Sequence, residues 1–187
     1  MTETFAALAA ALDAYEPRTV AEAADLARAR ALLHAGRPWD RDTPLHVTVS
    51  ALVVHPPTGR VLLRWHPRQR AWLQVGGHAD PGEADPLAVA LREAAEETGL
   101  PDLVAWPGDA PVQLAVVPVN AAGAEPAHEH ADLRYVLATA QPDAARPENP
   151  AAELRWLSLP AARELTTEPN VRELLARAAA PLQAARL

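Results

Sequence analysis

The sequence predicts an α/β domain preceded by a helical segment, and three observations carry that prediction. Residues 2 to about 35 repeat apolar side chains at helical spacing. From His46 the pattern changes to runs rich in β-branched residues. Between later runs of that kind lies one stretch, Leu87 to Thr98, with no helix breaker. The chain has 187 residues, the size of one domain. We divide it into a helical N-terminal extension over residues 1–42, packed on the rest, and a main α/β domain over 43–187.

The elements follow in order. Thr2 or Thr4 can cap a first helix carrying Phe5, Leu8 and Leu12, and Pro17 ends it. Thr19 followed by Glu22 resembles a capping box for a second helix, which runs to about His34 and stops at Gly36. Gly36 to Pro44 reads as a loop, with Trp39 stapling the helices down. His46 to Val54 and Arg60 to His66 form a hairpin around Pro56-Pro57-Thr58-Gly59. Trp72 to Val75 is a short strand running into Gly76-Gly77. Asp85 is a natural N-cap, Pro86 suits the first helical position, and Gly99 suits a left-handed cap. Further strands are expected at 112–119, 131–139 and 153–158. A last helix is expected from Glu168-Pro169 to about Ala179, with Pro181 ending or kinking it. Trp65, Trp72 and Trp156 fall on strands, where core packing is the expected role.

Composition removes several chemistries. There is no cysteine and no lysine. Disulfides, thiolate metal sites, cysteine nucleophiles, Schiff bases and a phosphate-binding lysine are thereby excluded. A formal net charge of −7 disfavours a general nucleic-acid or anionic-membrane binder, which needs a positive field. The N-terminus lacks the basic segment and apolar core of a signal peptide, and no apolar run is long enough to span a membrane. A cytoplasmic location is the simplest expectation. The N-terminal helices offer a surface for a homodimer contact.

At about 100° per residue, Glu93, Glu96 and Glu97 fall within an arc of roughly 100°. The wheel sets Leu87, Leu91, Ala94, Ala95 and Thr98 opposite them, so the acidic side reads as the outer face. Like charges at these spacings repel, and near the C-terminal end the helix dipole disfavours anions. Arg92 offsets part of this by reaching Glu96. A remaining cluster of hard oxygen ligands suits Mg²⁺ or Mn²⁺, although an acidic helix face can also be merely solvated. The preceding Gly76-Gly77 lets the backbone approach an ion or phosphate closely.

The stretch from Gly77 to Glu83, followed by Arg92-Glu93-Ala94-Ala95-Glu96-Glu97-Thr98-Gly99-Leu100, resembles the Nudix box. Eight residues separate Glu83 from Arg92, one more than the family pattern, and the extra one is placed at Ala84-Asp85-Pro86. That position leaves the helical glutamates in register and opens Asp80 or Asp85 as alternatives to Glu83. Ala94 stands where the pattern has a bulkier aliphatic residue. The resemblance implies an α/β/α sandwich around a mixed sheet and metal-dependent hydrolysis of a small-molecule diphosphate, often a nucleoside derivative. It implies that Glu93, Glu96 and Glu97 bind Mg²⁺ or Mn²⁺ with help from the Gly77 carbonyl. Arg92 would then orient the glutamates, and Glu83 would be an outer ligand. Glu93, Glu129, Asp132, Glu148 and Glu153 are all candidates for the base that takes a proton from water.

On a strand, His128, His130, Asp132 and Arg134 share one face, and Leu133, Tyr135 and Leu137 the other. That polar stripe is a candidate cleft lining, with Arg134 on phosphate and His130 near the metal; a solvent-facing strand is the plain alternative. His78 after the double glycine and Arg64 in a basic segment with His66, Arg68 and Arg70 are further substrate-binding candidates. Competing functions are a non-catalytic nucleotide-binding or regulatory module, the isopentenyl-diphosphate isomerase branch, whose chemistry resembles a cysteine-dependent proton transfer, and a plain interaction domain.

Overall fold

A computed structural model describes residues 5–123 and 125–185. The proposed caps Thr2 and Thr4 lie outside the described residues. Two helices open the chain, α1 (Ala6–Ala14) and α2 (Val20–His34). Thr19 caps α2 by accepting a hydrogen bond from the Glu22 backbone. The Glu22 side chain does not return to Thr19 as a capping box requires. It accepts instead from the Arg18 backbone and the Tyr15 hydroxyl, and pairs with Arg177. The Trp39 indole packs on the core, and the neighbouring Pro38 carbonyl accepts from Val47 at 2.7 Å, which ties this loop to the first strand.

The strands are β1 (Leu45–His55), β2 (Arg60–His66), β3 (Ala71–Leu73), β4 (Val75–Gly77), β5 (Val104–Ala105), β6 (Gln113–Val119), β7 (His128–Ala138) and β8 (Leu154–Ser158). They form one mixed sheet. β1 and β7 run parallel, and the other pairings are antiparallel. The segment read as one strand at 72–75 is two: β3 continues the hairpin with β2, and β4 crosses to pair with β1. Gln74 lies at the break.

Helix α3 (Pro86–Thr98) begins at Asp85, whose side chain accepts from the Leu87 backbone, and ends at Gly99 with φ 66°. Two helices complete the fold, α4 (Leu159–Leu165) and α5 (Pro169–Ala184). The sequence reading missed α4, although Ser158 caps it and Pro160 sits in its first turn. It also ended α5 too early. The helix passes through Pro181 because Val171, Leu174, Leu175, Ala178 and Leu182 bury one continuous face. That packing outweighs one missing backbone donor. No described helix is long and apolar enough to cross a membrane.

Strand alternation creates the layers. Val47, Val49, Ala51 and Val53 of β1 join Leu133, Tyr135 and Leu137 of β7 in a core shared with α1, α2 and α3. Leu52, Val54, Val136 and Ala138 point the other way, onto Ala162 and the buried face of α5. Trp72 is buried there beside Trp65, and Trp156 packs on the first core, as core tryptophans. The face that meets α5 changes character along both parallel strands. Its earlier positions are polar: His46, Thr48 and Ser50 on β1 stand opposite His130, Asp132 and Arg134 on β7. The sheet therefore contains a polar recess next to an apolar core.

Candidate active site

Helix α3 lies against β4, and its acidic side is not the outer face that the helical wheel suggested. Ala95 is exposed, whereas the Glu93 and Glu97 side chains are 15% and 12% exposed. The buried side of α3 is rotated toward these glutamates because β4 supplies space and polar partners. The Gly76 backbone donates to Glu97 Oε2 at 3.1 Å. Arg64 Nη1 lies 3.2 Å from Glu97 Oε1. A Cβ on Gly77 would stand 2.7 Å from the Glu93 carboxylate, so the absence of a side chain is what admits Glu93. Gly76, at φ 144°, packs so closely on β1 that a Cβ would stand 2.4 Å from the Ser50 Cα. Glu96, in contrast, is 55% exposed.

Arg92 organises this group. Its guanidinium donates to Glu83 from Nε at 2.9 Å and from Nη2 at 2.8 Å. It also donates to Glu93 at 3.2 Å, Glu96 at 3.0 Å and the His78 carbonyl at 2.9 Å. Glu83 thus meets Arg92 despite the extra loop residue. Asp80 to Glu83 forms a turn with Pro81 at its second position and Gly82 at φ 96° in its third, as a type II turn needs. The Asp80 backbone donates to Glu83 Oε2 at 2.7 Å. Asp85 is occupied as the α3 cap, and the additional length is taken up between this turn and the helix.

Burial raises the Glu93 carboxyl above its ordinary value, against the pull of Arg92. It pushes Glu97 up to about 7, against the Arg64 charge and the Gly76 amide. Glu83 is held low by the hydrogen bonds from Arg92. Two desolvated carboxylates that disfavour their own charge, facing a backbone cradle without side chains, form a donor set that fits a hard divalent cation.

On the other side of β4 is a cavity of about 310 Å³, also lined by Gly76, Gly77 and His78. The polar stripe predicted on β7 faces it: His128, His130, Asp132 and Arg134 all line it. The stripe is more buried than a cleft surface need be. Asp132 accepts from Thr48 at 3.1 Å, Ser50 at 2.8 Å and Arg134 Nε at 2.7 Å. Arg134 Nη1 reaches Gln113 at 3.2 Å and Asn170 at 3.1 Å, which ties it to the start of α5. Gln74 Oε1 is buried with no partner among the described residues. Arg64 is brought to Glu97 rather than to the cavity wall.

The base candidates separate. Glu129 pairs with Arg28 at 2.5 Å, Glu153 with Arg155 at 2.7 Å, and Asp132 is held within its network. Glu148 lies 3.9 Å from the Arg64 that contacts Glu97. Four histidines cluster beside the cavity: His78, His128 and His130 line it, and the buried His46 lies behind them. Burial lowers His46 below its ordinary value, against the hydrogen bond to the Thr43 carbonyl, and burial with the nearby Arg41 charge takes His78 to about 3. Burial also takes His130 to about 4. The sequence reading had His78 and His130 but not His46, nor Thr48, Ser50, Gln74, Gln113 and Asn170. The alternation of His46, Thr48 and Ser50 along β1 was the available signal for three of these.

This chain belongs to the NUDIX family: the NUDIX domain model matches residues 44–178. Members of the family hydrolyse phosphoanhydride bonds, and this protein is a hydrolase of that class. Solved structures share its fold. A C. elegans Ap4A hydrolase in a binary complex is 21% identical at a TM-score of 0.57, over 73% of this chain and 97% of that one. The E. coli dihydroneopterin triphosphate pyrophosphohydrolase is 19% identical at 0.54, over 72% and 94%. A Nudix hydrolase from M. smegmatis is 24% identical at 0.54, over 76% and 88%. No curated protein sequence matches the chain.

Proposed function

We propose that this protein hydrolyses a diphosphate linkage in a small molecule, with Mg²⁺ or Mn²⁺ held by Glu93, Glu96 and Glu97, the Gly77 carbonyl and, from further out, Glu83. The observation that carries this reading is the convergence of the half-buried Glu93 and Glu97 on the Gly76-Gly77 cradle, with Arg92 joining Glu83, Glu93 and Glu96. When bound, a divalent cation neutralises phosphate oxygens and lowers the pKa of a coordinated water. Arg92 fixes the glutamates in one arrangement. Glu97 is kept in place by Gly76 and Arg64. Of the base candidates, Glu148 is the one we favour to take a proton from water, because it lies 3.9 Å from the Arg64 that holds Glu97.

The cavity is the proposed substrate pocket. Its unpartnered Gln74 oxygen awaits a donor, and His78, His130, Asp132 and Arg134 give it a polar wall. That wall suits the polar end of a nucleoside or similar group, with the phosphates extending past β4 to the glutamates. Residues 43–187 form the catalytic domain in this reading, and residues 1–42 a helical extension that buries Leu8, Leu12, Leu26 and Leu33 in the same core.

The test is product release from a panel of diphosphate compounds with Mg²⁺, with Mn²⁺ and with chelator. The panel includes dinucleoside polyphosphates and pterin triphosphates, which the names of the structural neighbours suggest. Metal-dependent cleavage of one member establishes the reading. Binding of a panel member without turnover would replace it with that of a nucleotide-binding module.

A further inference from the structure

The four clustered histidines are not needed to hold the cation at α3, and their arrangement has a chemistry of its own. We propose that His46, His78 and His130 form a second metal site, selective for a borderline transition-metal dication such as Zn²⁺, with its open coordination position facing the cavity. One ring nitrogen from each of the three residues lies within 4.8 Å of the others. Their ring centroids form a nearly equilateral triangle of 5.1, 4.8 and 4.9 Å. Three imidazoles bound tetrahedrally, with a metal–nitrogen distance of about 2.0–2.1 Å, place their nitrogens about 3.3 Å apart and their ring centres about 5 Å apart. The His46 Nε2 to His78 Nε2 distance is 3.1 Å, already near that value.

The surroundings orient the ligands as metal sites require. His46 Nδ1 lies 3.3 Å from the Thr43 carbonyl. A proton shared there leaves the Nε2 lone pair facing His78. This pattern, a backbone carbonyl fixing one ring nitrogen so that the other can coordinate, is the usual support of a metal-bound histidine. His128 is held in the same way, with Nδ1 3.0 Å from the Pro126 carbonyl and Nε2 3.0 Å from His130 Nε2. Its ring stacks on His46 at a centroid separation of 5.3 Å and lies 4.9 Å from that of His130, so it flanks two of the three proposed ligands.

Three different elements contribute. His46 and His130 are register partners on the parallel strands β1 and β7, and His78 comes from the loop after β4. The site is therefore built on the two central strands. Imidazole nitrogens favour Zn²⁺, Co²⁺ or Ni²⁺ over Mg²⁺, whereas the carboxylates of α3 have the opposite preference. His78 and His130 line the cavity, so the fourth position is open to a water or to an anionic oxygen of a bound ligand.

The test uses tag-free, metal-stripped full-length protein titrated with Zn²⁺, and with Co²⁺ as a spectroscopic probe. We expect one equivalent of Zn²⁺ to bind, to persist in excess Mg²⁺ and to survive the double variant E93Q/E97Q. The Co²⁺ form should show the visible band of a low-coordinate nitrogen site. H78Q and H130Q should each weaken Zn²⁺ binding at least tenfold with an unchanged circular dichroism spectrum. Should those variants misfold, X-ray absorption of Zn²⁺-loaded wild type decides, since the proposal requires a shell containing three imidazole nitrogens. No Zn²⁺ binding by wild type, displacement by Mg²⁺, or loss of binding in E93Q/E97Q would overturn the proposal. The imidazoles would then only hydrogen-bond to one another. None of these readouts depends on turnover, so this site and the proposed hydrolysis stand or fall separately.

Discussion

Arg92 grips Glu83 with two parallel hydrogen bonds, 2.9 Å from Nε and 2.8 Å from Nη2, across a loop one residue longer than the family spacing. Such bidentate pairs are stronger and more directional than a point-charge contact. Lysine has no planar fork and cannot serve Glu83, Glu93, Glu96 and the His78 carbonyl together. Arg92→Lys is therefore expected to weaken Mg²⁺ binding about 10–100-fold while the fold is retained. Glu83→Gln should produce a similar loss. Calorimetric titration with Mg²⁺ checks both; unchanged affinity in Arg92→Lys would mean that the guanidinium network does not position the glutamates.

The two glycines of β4 make contrasting predictions. In Gly77→Ala the nearest atoms to the new methyl are those of the flexible Glu93 carboxylate, 2.7 Å away. The carboxylate can move, so the protein should fold with a near wild-type melting temperature and lose most of its metal-dependent activity. In Gly76→Ala the methyl meets the Val49 carbonyl and the Ser50 backbone at 2.4 Å, and φ 144° is a region that side chains avoid. Neither obstacle can swing away, and the backbone strain alone costs about 1–3 kcal/mol. Gly76→Ala should lower the melting temperature clearly. Equal melting temperatures for the two variants would contradict this division.

What the sequence could disclose follows the range of the interaction involved. The helix α3 was legible because its cap, its length and its terminal glycine are local signals, and Asp85 and Gly99 act where they were expected. The stripe of His128, His130, Asp132 and Arg134 was legible because strand alternation is local too. The direction in which Glu93 and Glu97 point was not. A helical wheel ranks faces by apolar content, and the small residues of β4 that admit two carboxylates lie outside the helix. Arg64 stands as a substrate-binding candidate in the sequence for the same reason: its pairing with Glu97 joins residues distant in the chain. The histidine cluster needs the parallel register of β1 with β7, which no local pattern specifies.

Glu97 should make the metal-free protein sensitive to pH. Burial raises its carboxyl to about 7 from an ordinary 4.5. A raised folded-state value means that the folded form prefers the proton. This contribution to stability is complete below pH 4.5 and is lost as pH rises through about 7. The loss amounts to roughly 3 kcal/mol at most. Without metal, Glu97→Gln should melt higher than wild type at pH 8 and much like it at pH 4.5. Adding Mg²⁺ at pH 8 should stabilise wild type far more than the variant. Parallel melting curves against pH for the two proteins would remove Glu97 as the responsible group.

Glu22 should act with the opposite sign, far from the proposed site. Burial works to raise its carboxyl, but hydrogen bonds from the Arg18 backbone, Tyr15 and Arg177, with the Arg177 charge, outweigh burial and hold it low. Its stabilisation is therefore present above the ordinary carboxylate range and is lost as pH falls through its lowered value. The pair links α2 to α5, since Arg177 also donates to Tyr15 at 3.3 Å and to the Val112 carbonyl at 2.8 Å. Glu22→Ala leaves the buried Arg177 with only the half-exposed Glu173, 3.0 Å away, as its ionic partner, so the loss is expected to stay below the roughly 3–5 kcal/mol of a fully unpaired buried charge. The variant should melt lower at pH 7, and protease should cut first between α1 and α2. The double substitution Glu22→Leu with Arg177→Met removes both charges, and it should regain most of the loss at pH 7 and flatten the acid limb of the stability curve. If the double variant is as unstable as Glu22→Ala, the pair contributes through its shape and hydrogen bonds to Tyr15 and Val112 rather than through charge compensation.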